Sequence, residues 1–189
     1  YMMEYLICNN GAIVVTGSID LTGTKLPELP RFGMRMELHQ PYENLVYYGR
    51  GPFENYIDRY SSSFIGRYED KVENQFYWYI RPQETGNKTD VRWLSLLDSE
   101  GQGVRITGLQ PISFSALHFS PEDLDPGLTR KLQHTIDIVP QKNIFLHVDL
   151  KQRGLGGDNS WGMYPHNEYR LLDKKYTYSY MIELVEKKS

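Results

Sequence analysis

Hydrophobic and polar positions alternate along most of this chain, in short runs separated by turn residues. Over residues 5–16, two apolar segments flank Asn9-Asn10-Gly11, a composition that predicts a β-hairpin. Residues 18–26 are more polar and read as an irregular continuation of the second strand. In residues 32–39, Met34, Met36 and Leu38 alternate with Arg35, Glu37 and His39, the period of a strand with one buried and one wet face. The same reasoning predicts strands over residues 45–48, 64–68, 91–97, 104–106, 112–117, 132–139, 144–150, 168–172 and 176–184. The aromatic group Phe76-Tyr77-Trp78-Tyr79 is assigned mostly to core packing, and the aromatic alternation of the last two strands to an outer or edge position. Ser120-Pro121-Glu122-Asp123 has the polar cap and early proline of a helix start, and Pro126-Gly127 keeps that helix short.

Roughly a dozen short strands without recurring helices favour an all-β fold, a large antiparallel β-sandwich, over a parallel sheet. At 189 residues the chain can bury one sizeable core, so residues 1–189 are expected to form a single β-sandwich domain. Composition adds 15 Tyr, 3 Trp and a formal net charge of -3, which give no electrostatic reason to expect nucleic acid as a partner. Cys8 is the only cysteine, so an internal disulfide and a cysteine-built zinc site are both excluded. No apolar run is long enough for a membrane helix, and no membrane partner is expected. The opening Tyr1 argues against a natural translation start. The expectation is therefore a fragment of a longer protein, whose upstream signal and compartment, cytoplasmic or periplasmic, lie outside it.

Candidate chemistry concentrates in two loops. Residues 154–162, GLGGDNSWG, hold four glycines, which suit tight turning, positive φ or close approach to another surface. Asp158, Asn159 and Ser160 can hold such a loop through side-chain to backbone hydrogen bonds and so aim Trp161. A ring carried in this way can meet the apolar face of a sugar, or it can plug the end of a sandwich core. The loop lacks the spacing of either a phosphate cradle or a dinucleotide fingerprint. In residues 49–59, Arg50, Glu54, Asp58 and Arg59 are expected to form a polar network around Tyr56. Glu54 and Asp58 have helical spacing and could be a carboxylate pair, but ion pairing with the arginines is the stronger reading. Gln83 and Glu84 could approach a sugar or close a turn network. His147 and Asp149 share a strand face without further convergent ligands, and His39, His118, His134 and His166 are isolated, so no metal site is expected.

Three unusual segments occur in order: residues 48–56 with Asp58-Arg59, then Arg81-Pro82-Gln83-Glu84-Thr85-Gly86, then Gly156-Gly157-Asp158-Asn159-Ser160-Trp161. Together they closely resemble the C-terminal, small-chain region of large bacterial β-galactosidases of glycoside hydrolase family 2, across essentially residues 5–184. The resemblance implies a supersandwich of the galactose mutarotase-like kind, following upstream sugar-binding-like, immunoglobulin-like and barrel domains. It implies hydrolysis of terminal β-D-galactosides such as lactose, with retention, by two glutamates of the barrel. Neither a catalytic carboxylate nor a cofactor is carried over onto this chain, since magnesium and sodium sites in the parent lie mainly outside this domain. What does carry over is Trp161, which would stack on substrate at the mouth of the pocket. Gly156, Gly157, Asp158, Asn159 and Ser160 would shape its loop, and Arg50, Glu54, Asp58 and Arg59 would be structural. Implied partners are the galactoside, the upstream barrel of the same chain and other copies in a homo-oligomer. Asn159 stands where the best-known enterobacterial form is acidic, Phe53 replaces a polar residue of that form, and Gly162-Met163-Tyr164 also departs from it, which bears on aglycone preference. A free-standing carbohydrate-binding module and a structural or assembly domain are the competing readings.

Overall fold

The computed structural model describes residues 1–125, 127, 134–159 and 161–187. Nine strands carry the chain: β1 (Met2–Ile7), β2 (Ile13–Asp20), β3 (Arg31–Leu38), β4 (Asn44–Gly51), β5 (Phe64–Lys71), β6 (Lys88–Leu97), β7 (Gly103–Leu117), β8 (Ile144–Gln152) and β9 (Lys175–Val185). Every pairing among them is antiparallel. The order β1-β2-β9-β7-β6-β4-β5 forms one path, and β8 with β3 branches from β7.

β7 makes this branching possible. Gly103 to Gly108 pair with β9, whereas Ser113 to Leu117 pair with β8. The change of partner falls where a Cβ on Gly108 would stand 2.4 Å from the Gln110 carbonyl oxygen, so the kink needs glycine. The two branches then face each other as the layers of a sandwich. Phe32 of β3 packs 5.5 Å from the Tyr178 ring of β9, and the Tyr178 hydroxyl donates to the Val148 carbonyl of β8 at 3.0 Å. Between them lie Val15, Leu45, Tyr47, Leu94, Leu96, Ile106, Phe114, Leu146 and Tyr180, all buried. A smaller cluster of Phe76, Leu117, Phe119, Leu124 and Ile138 closes one end.

The first hairpin forms as its turn residues predict: Gly11 takes φ +82°, its N–H donates to Cys8 O, and Asn10 Oδ1 accepts from Ala12 N. The helix also starts where expected, with Ser120 and Asp123 forming a reciprocal capping box ahead of α1 (Pro121–Leu124). Several expectations fail. Residues 135–137 form a 3₁₀ turn instead of part of a strand; residues 132 and 133 of that expected strand, and Pro126, lie outside the described residues. Residues 168–172 hold a 3₁₀ turn at Asn167–Tyr169 and a single bridge from Leu171 to Leu29. β9 is not an edge strand but runs between β2 and β7, which explains why Tyr176, Tyr178 and Tyr180 are buried. Of the aromatic group, only Phe76 enters the core; Tyr77 and Trp78 are exposed. Among the described residues no helix is long and apolar enough to cross a membrane.

Candidate functional site

The loop after β4 is fixed from inside by Asn55, which is fully buried. Its amide donates to the Arg50 and Phe53 carbonyls at 3.1 and 3.0 Å, and its Oδ1 accepts from the Thr89 N–H and hydroxyl at 2.9 and 2.6 Å. Asn55 N donates to Asn87 O, and Asn87 Nδ2 returns a bond to Asn55 O. With every polar atom of Asn55 engaged, the 52–60 loop is locked to the start of β6. The role of Asn55 and Asn87 does not show in the sequence, because Asn87 and Thr89 lie more than 30 residues from Asn55.

Glu54 becomes the centre of a second network, its side chain only 11% exposed. It accepts from Arg59 and Tyr79, from Thr85 Oγ1 at 2.9 Å and from Gly86 N at 2.7 Å. Burial raises its pKa, but the bonds from Tyr79, Gly86 and Thr85 and the Arg59 charge outweigh burial and hold it below the usual carboxylate range. A carboxylate held this way stays ionised and positions its neighbours; it is a poor proton donor. The Arg59 guanidinium also lies 4.9 Å from the ring centre of the buried Tyr56.

The other two members of the expected network point elsewhere. Arg50 pairs with Asp90, donates to Ser63 O at 2.9 Å and stacks 4.3 Å over Tyr60. Asp58 shares no helix face with Glu54; its Oδ2 instead accepts from Gly156 N at 2.7 Å. This bond joins the 52–60 loop to the glycine-rich loop 98 residues away. Gly154 permits the approach, since a Cβ there would stand 2.6 Å from Asp58 Cγ.

Beyond this anchor the glycine-rich loop holds itself together. Gly154 N donates to Tyr169 O, Asn159 Oδ1 accepts from Trp161 N at 2.8 Å, and Asp158 Oδ1 lies 2.9 Å from His166 Nε2. The Asp158 hydrogen bond and charge raise the pKa of His166. Gly157 approaches the Met163 carbonyl too closely for a Cβ, at 2.4 Å. Ser160 lies outside the described residues. The guanidinium groups of Arg153 and Arg170 lie 5.6 and 4.7 Å from the Tyr164 ring centre, and both are ion-paired with Glu28, at 2.9 and 2.6 Å. Trp161 is left 90% exposed, so it does not plug the core of this chain.

In the third segment, Glu84 faces inward to Arg31 at 3.3 Å, and burial raises its pKa ahead of the opposing Arg31 charge. Among the described residues no three His, Cys, Asp or Glu side chains converge as metal ligands. The structure thus brings the first and third sequence motifs together through Asp58, and the first and second through Glu54 and Gly86.

Residues 1–182 match the family described as beta galactosidase small chain. The chain belongs to that family. A β-galactosidase of Priestia megaterium is 34% identical over 182 residues, covering 96% of this chain and 17% of the relative. One from Streptococcus thermophilus is 34% identical over 183 residues with the same two shares, and one from Bifidobacterium adolescentis is 35% identical over 164 residues, covering 84% and 15%. The small-chain match lies at the C-terminal end of such relatives, and this chain spans about a sixth of their length.

Proposed function

We propose that this chain is the C-terminal domain of a retaining β-galactosidase of glycoside hydrolase family 2, acting on terminal β-D-galactosides such as lactose. In this reading the Trp161 loop forms part of the active-site mouth, and the catalytic glutamates belong to the upstream barrel of the same polypeptide. The observation that carries it is Trp161, 90% exposed on a loop whose backbone is tied at Gly156 to Asp58. An indole held in the open by an internally bonded turn has little to gain within this domain and is presented to something outside it.

Trp161 stacks on sugar and orients the leaving or accepting group; it moves no proton. Asp58, Asn159 and Asp158 hold the loop, while Arg50, Glu54 and Arg59 hold the frame beneath. The isolated chain is expected to be inactive because the catalytic glutamates belong to the barrel, and Glu54, committed to four hydrogen-bond donors, does not stand in for them. Magnesium and sodium sites of the parent, where it uses them, belong mainly to its other domains.

Steady-state lactose hydrolysis by the full-length parent and its Trp161→Ala form tests this reading. A stacking contact of roughly 1 to 3 kcal/mol in the transition state predicts about a 5- to 150-fold loss in kcat/KM, carried mainly by KM. Unchanged kinetics in a folded variant would move the domain to a purely structural role.

A further inference from the structure

A second concave site lies beside the Glu54 network, and Trp161 is not among the residues that line it. Its volume is about 800 Å³, within the range of small-molecule sites. The polar floor carries Glu54, Arg59, Asp70 and Lys88, two anions and two cations. Both anions are satisfied by the protein itself. Glu54 accepts from four groups, and Asp70 accepts from Lys71 N, Asn74 and Gln75.

The cations keep donors in reserve. Lys88 lines the cleft at 2% exposure, and its ammonium donates to Gln75 Oε1 at 2.9 Å and Gly86 O at 3.3 Å, which leaves one of its three N–H bonds without an acceptor among the described residues. Burial lowers its pKa to about 8 while Glu54 and Asp70 raise it, so it is mostly protonated at neutral pH. Among the described residues Arg59 commits only Nη2, to Glu54 and Tyr79. Two aromatic rings stand exposed at the rim, Phe53 at 77% and Tyr77 at 60%, the latter packed 4.6 Å from Tyr79.

Zero net charge disfavours an ionic ligand, since neither sign gains a Coulombic advantage. Spare donors above a floor of satisfied acceptors, with aromatic faces at the rim, suit a neutral ring molecule with many hydroxyl oxygens and one apolar face. We propose that this cleft binds a saccharide, with Tyr77 and Phe53 against its pyranose faces and Lys88 and Arg59 donating to its hydroxyls. This site does not depend on the role of Trp161.

Saturation-transfer difference NMR of the 189-residue chain with lactose and, separately, cellobiose tests the proposal, folding being verified by circular dichroism. The wild type and Trp161→Ala are expected to transfer saturation to pyranose protons. Tyr77→Ala is expected to weaken binding roughly 3- to 10-fold, and Lys88→Met at least as much. Because Lys88 is buried and its replacement can unfold the chain, the exposed Tyr77 keeps the test decisive. Loss of transfer in Trp161→Ala alone would overturn this cleft and leave the active-site-mouth reading intact. Transfer unchanged in Tyr77→Ala, or absent from the wild type, would also overturn the cleft, while the kinetics of the parent would decide Trp161 independently.

Discussion

Single atoms decide how the loops of this domain meet. The missing Cβ of Gly154 lets Asp58 reach the Gly156 amide, and Gly154→Ala would place a methyl 2.6 Å from Asp58 Cγ. The expected cost is about 1 to 3 kcal/mol of stability, typical of overpacking, together with faster hydrogen exchange at the Gly156 amide. Wild-type exchange there would count against Asp58 as the anchor. Glu54→Gln keeps the shape of the side chain but replaces one accepting oxygen with a donating amide. It should cost about 1 to 3 kcal/mol in urea unfolding, because donors among Arg59, Tyr79, Thr85 and Gly86 are left without an acceptor. An unchanged midpoint would show that these bonds contribute nothing net.

At the scale of the element, β8 carries two titratable groups with opposite pH signatures, Asp149 buried and His147 half-buried. Burial raises Asp149 to about 7, against Arg31 and together with Glu84. Its Oδ2 lies 3.0 Å from Arg31 Nε without hydrogen-bond alignment, and Gly33 opposite it leaves no room for a Cβ. The folded pKa exceeds the unfolded value of about 3.9, so its stabilising contribution is complete below pH about 4 and is lost as pH rises to about 7. His147 is lowered to about 3 by burial, then by Arg31 and Arg35, against Glu122. Its contribution is complete above pH about 6.5 and is lost as pH falls toward 3. Melting temperatures of wild type and Asp149→Asn between pH 4 and 7 separate the two: the variant should gain on the wild type as pH rises. A difference independent of pH would mean that Asp149 does not titrate as its burial requires. His147 and Asp149 were legible in the sequence as a same-face pair, but their isolation from water was not, because β3 and the turn bearing Glu84 supply it.

At the scale of the whole molecule, two layers are pinned across the core by Tyr178, whose hydroxyl reaches Val148 O. Tyr178→Phe should cost about 0.5 to 1.5 kcal/mol without altering the sheet, as read by denaturant unfolding and far-ultraviolet circular dichroism. No loss would assign the cohesion of the layers to apolar packing alone. The alternation of Met34, Met36 and Leu38 with polar neighbours, the Asn-Gly hairpin and the Ser120 cap were readable locally, since each depends on residues within a turn or on one strand face. The three motifs were likewise readable as a set, and with them the family. The strand over residues 168–172 and the edge position of β9 were misread, because an aromatic alternating run looks alike at an edge or in the middle of a sheet until its partners are known. The destinations of Arg50, Asp58, Asn55 and Lys88 were equally hidden, since each depends on groups brought in from another part of the chain. The sequence alone therefore determined the all-β class, most strand positions and the turns, whose causes are local. Only the tertiary structure decided which carboxylates are locked, which lysine is buried and which tryptophan is left in the open, because desolvation and hydrogen-bond satisfaction arise only when distant segments meet.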